Sequence, residues 1–281
     1  MKHTSIATNG VKLHVVQAGD PQGPLVIFLH GFPDFWYGWR RQIGALAAAG
    51  FRVWAPDQRG YNLSDKPGGV ADYGLDLLAQ DIVGLMDAAG VERASVVGHD
   101  WGGAVAWWLG LHHSDRVAKL AILNSPHPAA FTRYLRNNRR QQVKSAYMAF
   151  FQLPRLPEFA SRHFGKWALR RSSLPGTFSD EDLAQYQTAW NQPGALTAMI
   201  NWYRASRQRL NVSPMHNLTV ATPTQIIWGA DDAFFEPGLA ELSLELCTNG
   251  KLKMAPDATH WVQHEAPDEV SQLLVAHFRG G

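Results

Sequence analysis

The chain has 281 residues, of which 46% are hydrophobic and 18% are charged, and its formal net charge at pH 7 is +2. This length and apolar content allow a large core, as one domain or as a core with an insertion. The small net charge gives no electrostatic case for a nucleic-acid partner, and a single cysteine, Cys247, excludes an internal disulfide.

The sequence has no feature of export or membrane insertion. Its first ten residues, MKHTSIATNG, lack the apolar stretch of a signal peptide. No run approaches the ~18 apolar residues of a membrane span, and one cysteine fits a reducing compartment. We expect a cytoplasmic protein without a membrane span, and both a monomer and a homodimer stay open.

Strands and helices alternate in the first part of the chain. Apolar runs predict strands at residues 3–8, 11–17, 25–29, 51–55, 95–97 and 120–123, and helical spacing covers 75–89. Asn9-Gly10, between the first two strands, is a strong hairpin signal. This alternation indicates an α/β fold with a mostly parallel, twisted sheet and helices on both faces.

The pattern changes after residue 128. Residues 129–213 contain no convincing strand and predict several helices, which are broken at Pro154, Pro157, Pro175 and Pro193. The frequent arginines of this stretch indicate a solvated helix face rather than a polyanion site. Strands resume at 224–228 and 252–254, before a last helix at 267–278. We therefore predict a core of residues 1–128 and 214–281, with a helical cap, 129–213, inserted into it.

The stretch Ala94–Leu109, ASVVGHDWGGAVAWWL, predicts a buried strand, a glycine-rich turn and a buried helix from Ala104. Glycines on both sides of the central residue permit the strained turn of a nucleophile elbow. The central residue is Asp100, where such elbows usually carry serine. A carboxylate that attacks an sp³ carbon forms an ester, which water can hydrolyse. The plain alternative is that Asp100 only caps the helix.

Two further polar residues follow predicted strands. Asp232 comes after the strand at 224–228, and His260 comes after the strand at 252–254. Because ligands gather at the carboxyl ends of parallel strands, we expect Asp100, Asp232 and His260 to meet there as nucleophile, acid and base. Taken singly, Asp232 reads as a turn residue and His260 as a surface histidine. Asp231 is the adjacent alternative for the acid.

The other histidines are interpreted as structural. His99 is expected to point into the core, and His30 to support the loop that it begins. Four histidines on or near helices are expected to face solvent: His112, His113, His264 and His277. There is no HExxH pattern, and one cysteine cannot build a thiolate site, so we predict neither a metal nor a cofactor.

Several segments resemble the epoxide hydrolase branch of the α/β-hydrolase-fold family. They are HGFPDFWYGW, GHDWGG, NSPHPAAF, FFQLP, NQPGAL, NWYR, WGADDAF and ATHW, spread from about residue 10 to the C-terminus. The similarity is closest to stand-alone epoxide hydrolases related to the vertebrate types 3 and 4. The resemblance implies the α/β-hydrolase fold, and the opening of a small apolar epoxide by water to a vicinal diol.

The resemblance also implies a role for each matched residue. Asp100 is then the nucleophile that forms an alkyl-enzyme ester, and His260 is the base that activates water to hydrolyse it. Asp232 is the acid that orients His260. The backbone N–H groups of Phe32 and Trp101 then form an oxyanion hole.

Tyr147 and Tyr203 match two lid tyrosines that donate hydrogen bonds to the oxygen of the opening ring. A tyrosine with its ordinary pKa of ~10 is a competent donor at neutral pH. The plain alternative is that both are aromatic residues of the lid core. Together with Phe32, Pro33 and Trp101 they form the implied substrate-binding set, and the Pro33 peptide is implied to be cis.

Two other functions stay open. A haloalkane or haloacid dehalogenase of the same fold would use the same Asp100, with Trp101 as the halide-binding indole. Such enzymes usually carry Asn where this chain has Phe32, and they lack the tyrosine pair. The third hypothesis is a non-enzymatic, ligand-binding protein of the hydrolase fold, against which the intact set of site residues argues.

Overall fold

The structure is a computed structural model that describes residues 1–280. Its strands are β1 (Lys2–Thr8), β2 (Val11–Gly19), β3 (Leu25–Leu29), β4 (Arg52–Pro56), β5 (Ala94–His99), β6 (Val117–Leu123), β7 (Thr224–Gly229) and β8 (Gly250–Ala255). Its α-helices are α1 (Arg40–Ala48), α2 (Leu75–Ala88), α3 (Trp101–His112), α4 (Pro128–Asn137), α5 (Arg139–Lys144), α6 (Tyr147–Phe150), α7 (Leu156–Arg171), α8 (Asp180–Trp190), α9 (Ala195–Gln208), α10 (Gly238–Leu244), α11 (Val262–Glu265) and α12 (Pro267–Arg279). Two 3₁₀ helices cover Trp36–Trp39 and Val70–Tyr73. None of these described helices has the length and apolar content that a membrane span requires.

All eight strands belong to one sheet, in the order β1-β2-β4-β3-β5-β6-β7-β8. The pairs β1–β2 and β2–β4 are antiparallel, and the remaining pairs are parallel. Alternate residues of β3 belong to two buried clusters on opposite faces of the sheet, with Ile27 in one and Val26 and Phe28 in the other. Helices therefore cover both faces, and the predicted fold class is confirmed.

The helix after the glycine-rich turn begins at Trp101, three residues before the predicted start at Ala104. Gly102 and Gly103 therefore lie in its first turn. A Cβ at Gly102 would collide with the backbone of β3, so the helix can approach the sheet this closely only with glycine at that position. The prediction was wrong because glycine usually interrupts helices, whereas here it permits close packing.

The winding of the sheet changes direction at β3. The chain places β4 on one side of β3, and then returns to place β5 on the other side. A crevice at the carboxyl ends of two such strands is the place where open α/β sheets bind ligands. The loops that begin after β3 and β5 carry Phe32 and Asp100, so these two residues face each other across the crevice.

Six helices, α4 to α9, follow one another between β6 and β7, and we call residues 128–208 the inserted helices. Over the described chain, no strand lies between Leu123 and Thr224. Pro157 does not break a helix but lies in the first turn of α7, where its missing N–H has no partner to lose. The division into a core and a cap at 129–213 stays a prediction.

Candidate active site

Asp100 forms the sharp turn between β5 and α3. Its φ is 51° and its ψ is −119°, a conformation that costs energy for a residue other than glycine. The turn is held because the Asp100 N–H donates to the Leu123 carbonyl at 3.3 Å, and the Ser125 hydroxyl donates to the Asp100 carbonyl at 2.7 Å. The Asp100 side chain makes no capping hydrogen bond to α3. The strained turn instead directs the carboxylate into the crevice, as in a nucleophile elbow.

The Asp100 carboxylate is 8% exposed and lies between a backbone donor and a histidine. Its Oδ1 accepts a hydrogen bond from the Phe32 N–H at 2.8 Å, and its Oδ2 lies 3.7 Å from His260 Nε2. Burial raises the pKa of Asp100, and His260 together with the backbone N–H groups of Phe32 and Trp101 offsets part of that rise. The site thus holds a carboxylate that is oriented but poorly solvated.

His260 and Asp232 form a buried hydrogen-bonded pair, with 2.8 Å between Nδ1 and Oδ2. Burial by itself lowers the pKa of His260, but the charge and hydrogen bond of Asp232, with the charge of Asp100, raise the pKa above its ordinary value. Because Nδ1–H donates to Asp232, the lone pair of the neutral imidazole lies on Nε2, on the side of Asp100. Asp231 is exposed, and the ion-pair partners of His260 in the described chain are Asp100 and Asp232.

Asp232 is held in place by three further donors. Its Oδ1 accepts from the N–H groups of Phe234 and Phe235 at 2.6 and 3.0 Å, and its Oδ2 accepts from Asn124 Nδ2 at 2.8 Å. A buried carboxylate with this many donors is held in one direction. Asp232 therefore fixes the tautomer and the orientation of His260.

Tyr147, on α6, and Tyr203, on α9, approach Asp100 and His260 from the inserted helices. Their ring centroids are 5.9 Å apart, and the Tyr203 ring lies 5.0 Å from Trp101 and 5.3 Å from Phe32. Burial raises the pKa of both hydroxyl groups, so both stay protonated at neutral pH. They are thus available as hydrogen-bond donors above the carboxylate.

A cavity of about 270 Å³ connects the side chains at the sheet edge with the tyrosines of the inserted helices. The polar groups in its wall include Asp100, His260, Tyr147 and Tyr203, and most of the rest is aromatic or aliphatic: Phe32, Pro33, Phe150, Phe151, Phe164, Trp167, Leu169, Trp190, Phe234 and Trp261. A second cavity of about 180 Å³ reaches Asp100 and both tyrosines from the side of Trp101 and Phe131. Such walls suit an apolar ligand with one reactive polar centre.

Seven residues singled out from the sequence line these cavities: Phe32, Pro33, Asp100, Trp101, Tyr147, Tyr203 and His260. The eighth, Asp232, joins them through its hydrogen bond to His260. The Phe32–Pro33 peptide is cis, as the resemblance implied. Within residues 1–280, no group of three or more His, Cys, Asp or Glu side chains is arranged to hold a metal ion.

Sequence reasoning missed the residues that support Asp232. Asn124 binds Asp232, and Phe234 both donates to Asp232 and packs on the His260 ring, with the centroids 4.9 Å apart. The position of Asn124 was a usable signal, because it is the first residue after β6 at the same sheet edge. Phe234 had no comparable signal, because its role depends on the loop geometry after Asp232.

The prediction that His264 faces solvent was wrong. Its side chain is buried because α11 packs against β7 and the 3₁₀ helix at Trp36–Trp39, and Nε2 lies 3.6 Å from Asp34 Oδ2. Tyr186, from α8, donates to Asp34 Oδ1 at 2.8 Å, and Trp190, also from α8, donates to the Pro33 carbonyl at 2.7 Å. The loop after β3 is thereby tied to the inserted helices.

His99 is fully buried, as expected, and it also contacts His260. One of its ring nitrogens, Nε2, is 2.8 Å from the His260 carbonyl oxygen, and the two rings are 4.5 Å apart. Burial, which is the main cause, lowers the pKa of His99 well below its ordinary value. A neutral ring beside His260 adds no competing charge to the site.

Comparisons with known proteins agree with this architecture. A family model for the alpha/beta hydrolase fold matches residues 24–267. The AB hydrolase superfamily protein YfhM of Bacillus subtilis (strain 168) is 46% identical over 279 residues, which cover 98% of this chain and 96% of that protein. Epoxide hydrolase 4 of Homo sapiens is 36% identical over 282 residues, which cover 97% of this chain and 77% of that protein.

Solved structures show the same similarity. The crystal structure of the Bacillus megaterium epoxide hydrolase in complex with an inhibitor has a TM-score of 0.90 and 33% sequence identity, covering 99% of this chain and 100% of that chain. Epoxide Hydrolase A from Mycobacterium thermoresistibile has a TM-score of 0.84 and 31% identity, covering 99% of this chain and 98% of that chain.

Proposed function

The chain belongs to the α/β-hydrolase-fold family, in its epoxide hydrolase branch, and we propose that it hydrolyses a small apolar epoxide to a vicinal diol. The observation that carries this proposal is the shared cavity. A buried carboxylate on a strained elbow, Asp100, and two protonated phenols, Tyr147 and Tyr203, line the same apolar space. An epoxide needs these two functions at once, a nucleophile for carbon and a donor for oxygen.

In the first step, the carboxylate of Asp100 attacks one ring carbon. A new carbon–oxygen bond forms as the bond between that carbon and the ring oxygen breaks, and the electron pair moves onto the ring oxygen. Tyr147 and Tyr203 donate hydrogen bonds to this oxygen, and one of them supplies its proton. The hydrogen bond from the Phe32 N–H to Oδ1 leaves the other carboxylate oxygen free to attack.

In the second step, water hydrolyses the ester. His260 Nε2 accepts a proton from the water, and the resulting hydroxide attacks the carbonyl carbon of the ester. The N–H groups of Phe32 and Trp101 stabilise the negative oxygen of the tetrahedral intermediate, and Asp232 stabilises the charged imidazole. Collapse breaks the bond between the former ester carbonyl carbon and the diol oxygen. The protons held by His260 and by the new carboxyl group pass to this leaving oxygen and to the deprotonated tyrosine, which releases the diol and restores the tyrosine, His260 and Asp100. The Asp100 carboxylate then contains one oxygen atom from water. The distance of 3.7 Å between His260 Nε2 and Asp100 Oδ2 is too long for a direct hydrogen bond. Oδ2 is therefore free to attack carbon, and Nε2 is free to accept a proton from water.

We also propose that the inserted helices act as the cap of this site. They supply both tyrosines and much of the cavity wall, including Phe151 and Trp190. Exclusion of bulk water by such a wall strengthens every electrostatic interaction at the reacting centre. The cap would thus position the two tyrosine hydroxyls and keep the cavity apolar.

The test is diol formation from a panel of aryl and alkyl epoxides, with the wild type beside Asp100→Ala. We expect diol from the wild type alone. A single turnover in ¹⁸O-labelled water should place the label in the peptide that contains Asp100, because the mechanism exchanges a carboxylate oxygen. Halide release from haloalkanes or haloacids without diol formation from any epoxide would favour the dehalogenase instead. Tight ligand binding without any covalent adduct would favour a non-enzymatic protein.

A further inference from the structure

The helix α7 exposes an unusual concentration of large apolar side chains. Leu156, Phe159, Phe164 and Trp167 are between 51% and 66% exposed. Of the ten large hydrophobic side chains exposed in residues 1–280, six lie between Leu153 and Leu174. Single exposed apolar residues need no explanation, but a cluster on one helix marks an interaction surface. We call the exposed side of residues 156–171 the α7 face.

The α7 face borders the active-site cavity. The opposite side of the helix contributes Ser161, Gly165 and Leu169 to the cavity wall. Phe164 and Trp167 line the cavity and are also more than half exposed. The cavity therefore meets the exterior beside these two aromatic residues, at the edge of the same apolar surface.

The α7 face is also cationic. Five cations lie in or directly before the helix: Arg155, Arg162, Lys166, Arg170 and Arg171. Its one acidic residue, Glu158, pairs with Arg204 at 2.9 Å, and Arg170 pairs with Asp180 at the surface. In the part of the chain that the structure describes, no acidic side chain lies within ion-pair distance of Arg162, Lys166 or Arg171. The helix thus presents apolar and positively charged side chains together.

We propose that the α7 face docks on the surface of an anionic lipid bilayer. An exposed helix with Phe, Trp and Leu on one side and Arg and Lys beside them is the pattern of an interfacial helix, whose apolar side chains enter the acyl boundary. Lipid phosphates and anionic headgroups would contact Arg162, Lys166 and Arg171. A second copy of this chain is a poorer occupant, because a symmetric contact would place these cations against each other.

Docking in this orientation places the mouth of the cavity, beside Phe164 and Trp167, at the apolar layer of the bilayer. Small apolar epoxides partition into that layer, so they would reach the cavity without passing through bulk water. This consequence rests on the proposed function, but the docking itself does not. The frequency of arginines in this region predicts a solvated helix face. In this proposal, Arg162 and Arg171 also bind anionic lipid headgroups.

The experiment is co-sedimentation of the full chain with vesicles of phosphatidylcholine alone, or of phosphatidylcholine mixed with phosphatidylserine. We expect binding to the mixed vesicles that weakens with added salt, and little binding to phosphatidylcholine alone. The double variant Leu156→Ser with Phe159→Ser should lower the bound fraction by roughly tenfold or more, because it removes two inserted side chains. Arg162→Gln with Lys166→Gln should abolish the preference for phosphatidylserine.

Val143→Ser is the matched control, because Val143 is 75% exposed but lies on α5, outside the α7 face. It should bind vesicles like the wild type. Leu156 and Phe159 do not line the cavity, so diol formation in vesicle-free buffer should be unchanged in their double variant. Absence of wild-type binding to the mixed vesicles would overturn the proposal. A dimer in light scattering that dissociates in the double variant would also overturn it, by assigning the α7 face to a second copy. Both results are independent of whether any epoxide is turned over.

Discussion

At the sheet edge, Asp232 and His260 are positioned by hydrogen bonds, whereas on the inserted helices Tyr147 and Tyr203 are positioned by aromatic packing. The Asp232 carboxylate takes part in four hydrogen bonds between 2.6 and 3.0 Å. Tyr203 instead packs its ring 4.8 Å from Phe151, and Tyr147 packs 5.7 Å from Phe234. Hydrogen bonds select one direction and one tautomer, while ring contacts allow several geometries of similar energy.

This difference indicates how activity should respond to substitutions at the sheet edge and on the inserted helices. At the sheet edge, one changed atom leaves a buried partner unpaired, so the loss should be abrupt. On the inserted helices, the removal of one hydroxyl leaves the packing intact, and the second hydroxyl stays in the cavity. The losses there should be graded. The proposed chemistry allows this comparison to be measured.

The largest effect is expected from His260→Gln. Without a base, the ester on Asp100 should form but not hydrolyse, and turnover should fall by about 10⁴-fold or more. Intact-protein mass spectrometry after addition of an epoxide should show one added epoxide mass per chain. A variant that keeps turning over, or that forms no adduct although it is folded by circular dichroism, would contradict the role of His260.

Asp232→Asn should lower kcat by about 10²–10⁴-fold, because the amide favours the wrong histidine tautomer. Its matched control is Asp231→Asn, which changes the adjacent, exposed carboxylate and should leave kcat near the wild-type value. If the two variants behaved alike, the acid would have to be reassigned.

The pH profile tests the same pair. The base must be neutral, and Asp232 raises the pKa of His260 above its ordinary value of 6.5, so activity should be lost as the pH falls through that raised value. In Asp232→Asn this limb of the kcat profile should move to lower pH. A limb that does not move would separate Asp232 from the titration of His260.

Tyr147→Phe and Tyr203→Phe should each reduce kcat by roughly tenfold, and the double variant by about 10²–10⁴-fold, because one hydroxyl partly replaces the other. Initial rates with one epoxide across the four proteins measure this. Unchanged turnover in the double variant would show that the two residues are only packing side chains. A complete loss of turnover in either single variant would show that activity tolerates substitutions on the inserted helices no better than substitutions at the sheet edge.

Tyr186→Phe should have the smallest effect on turnover, less than about tenfold, but a measurable effect on stability. It removes the hydrogen bond to the buried Asp34 carboxylate, which joins α8 to the loop after β3. Hydrogen bonds to charged groups contribute about 1.5–3 kcal/mol, and the free energy of unfolding should fall by that amount in denaturant titration. Tyr134→Phe is the control, because the described chain shows no hydrogen bond from that hydroxyl group. An equal decrease in the free energy of unfolding in both variants would show that the hydrogen bond from α8 to the loop after β3 does not stabilise the fold.

Local sequence was sufficient for the sheet and for the core of the site. The run LVIFL of β3 is apolar at every position because both faces of a parallel strand are buried, so it could be recognised without knowledge of its neighbours. The glycines around Asp100, and the order of Asp100, Asp232 and His260 after strands, are equally local. For Tyr147 and Tyr203 the composition of the inserted helices was not enough, and the resemblance to epoxide hydrolases was needed.

Only the tertiary structure decided which distant groups meet. Asn124 and Asp232 are 108 positions apart, and His264 lies 3.6 Å from Asp34 although it is near the other end of the chain. The exposed face of α7 could not be predicted either. Helical periodicity shows that a helix has an apolar side, but not whether a neighbour covers it. Secondary structure follows from interactions within a few residues, whereas burial and partner choice follow from how the completed elements pack.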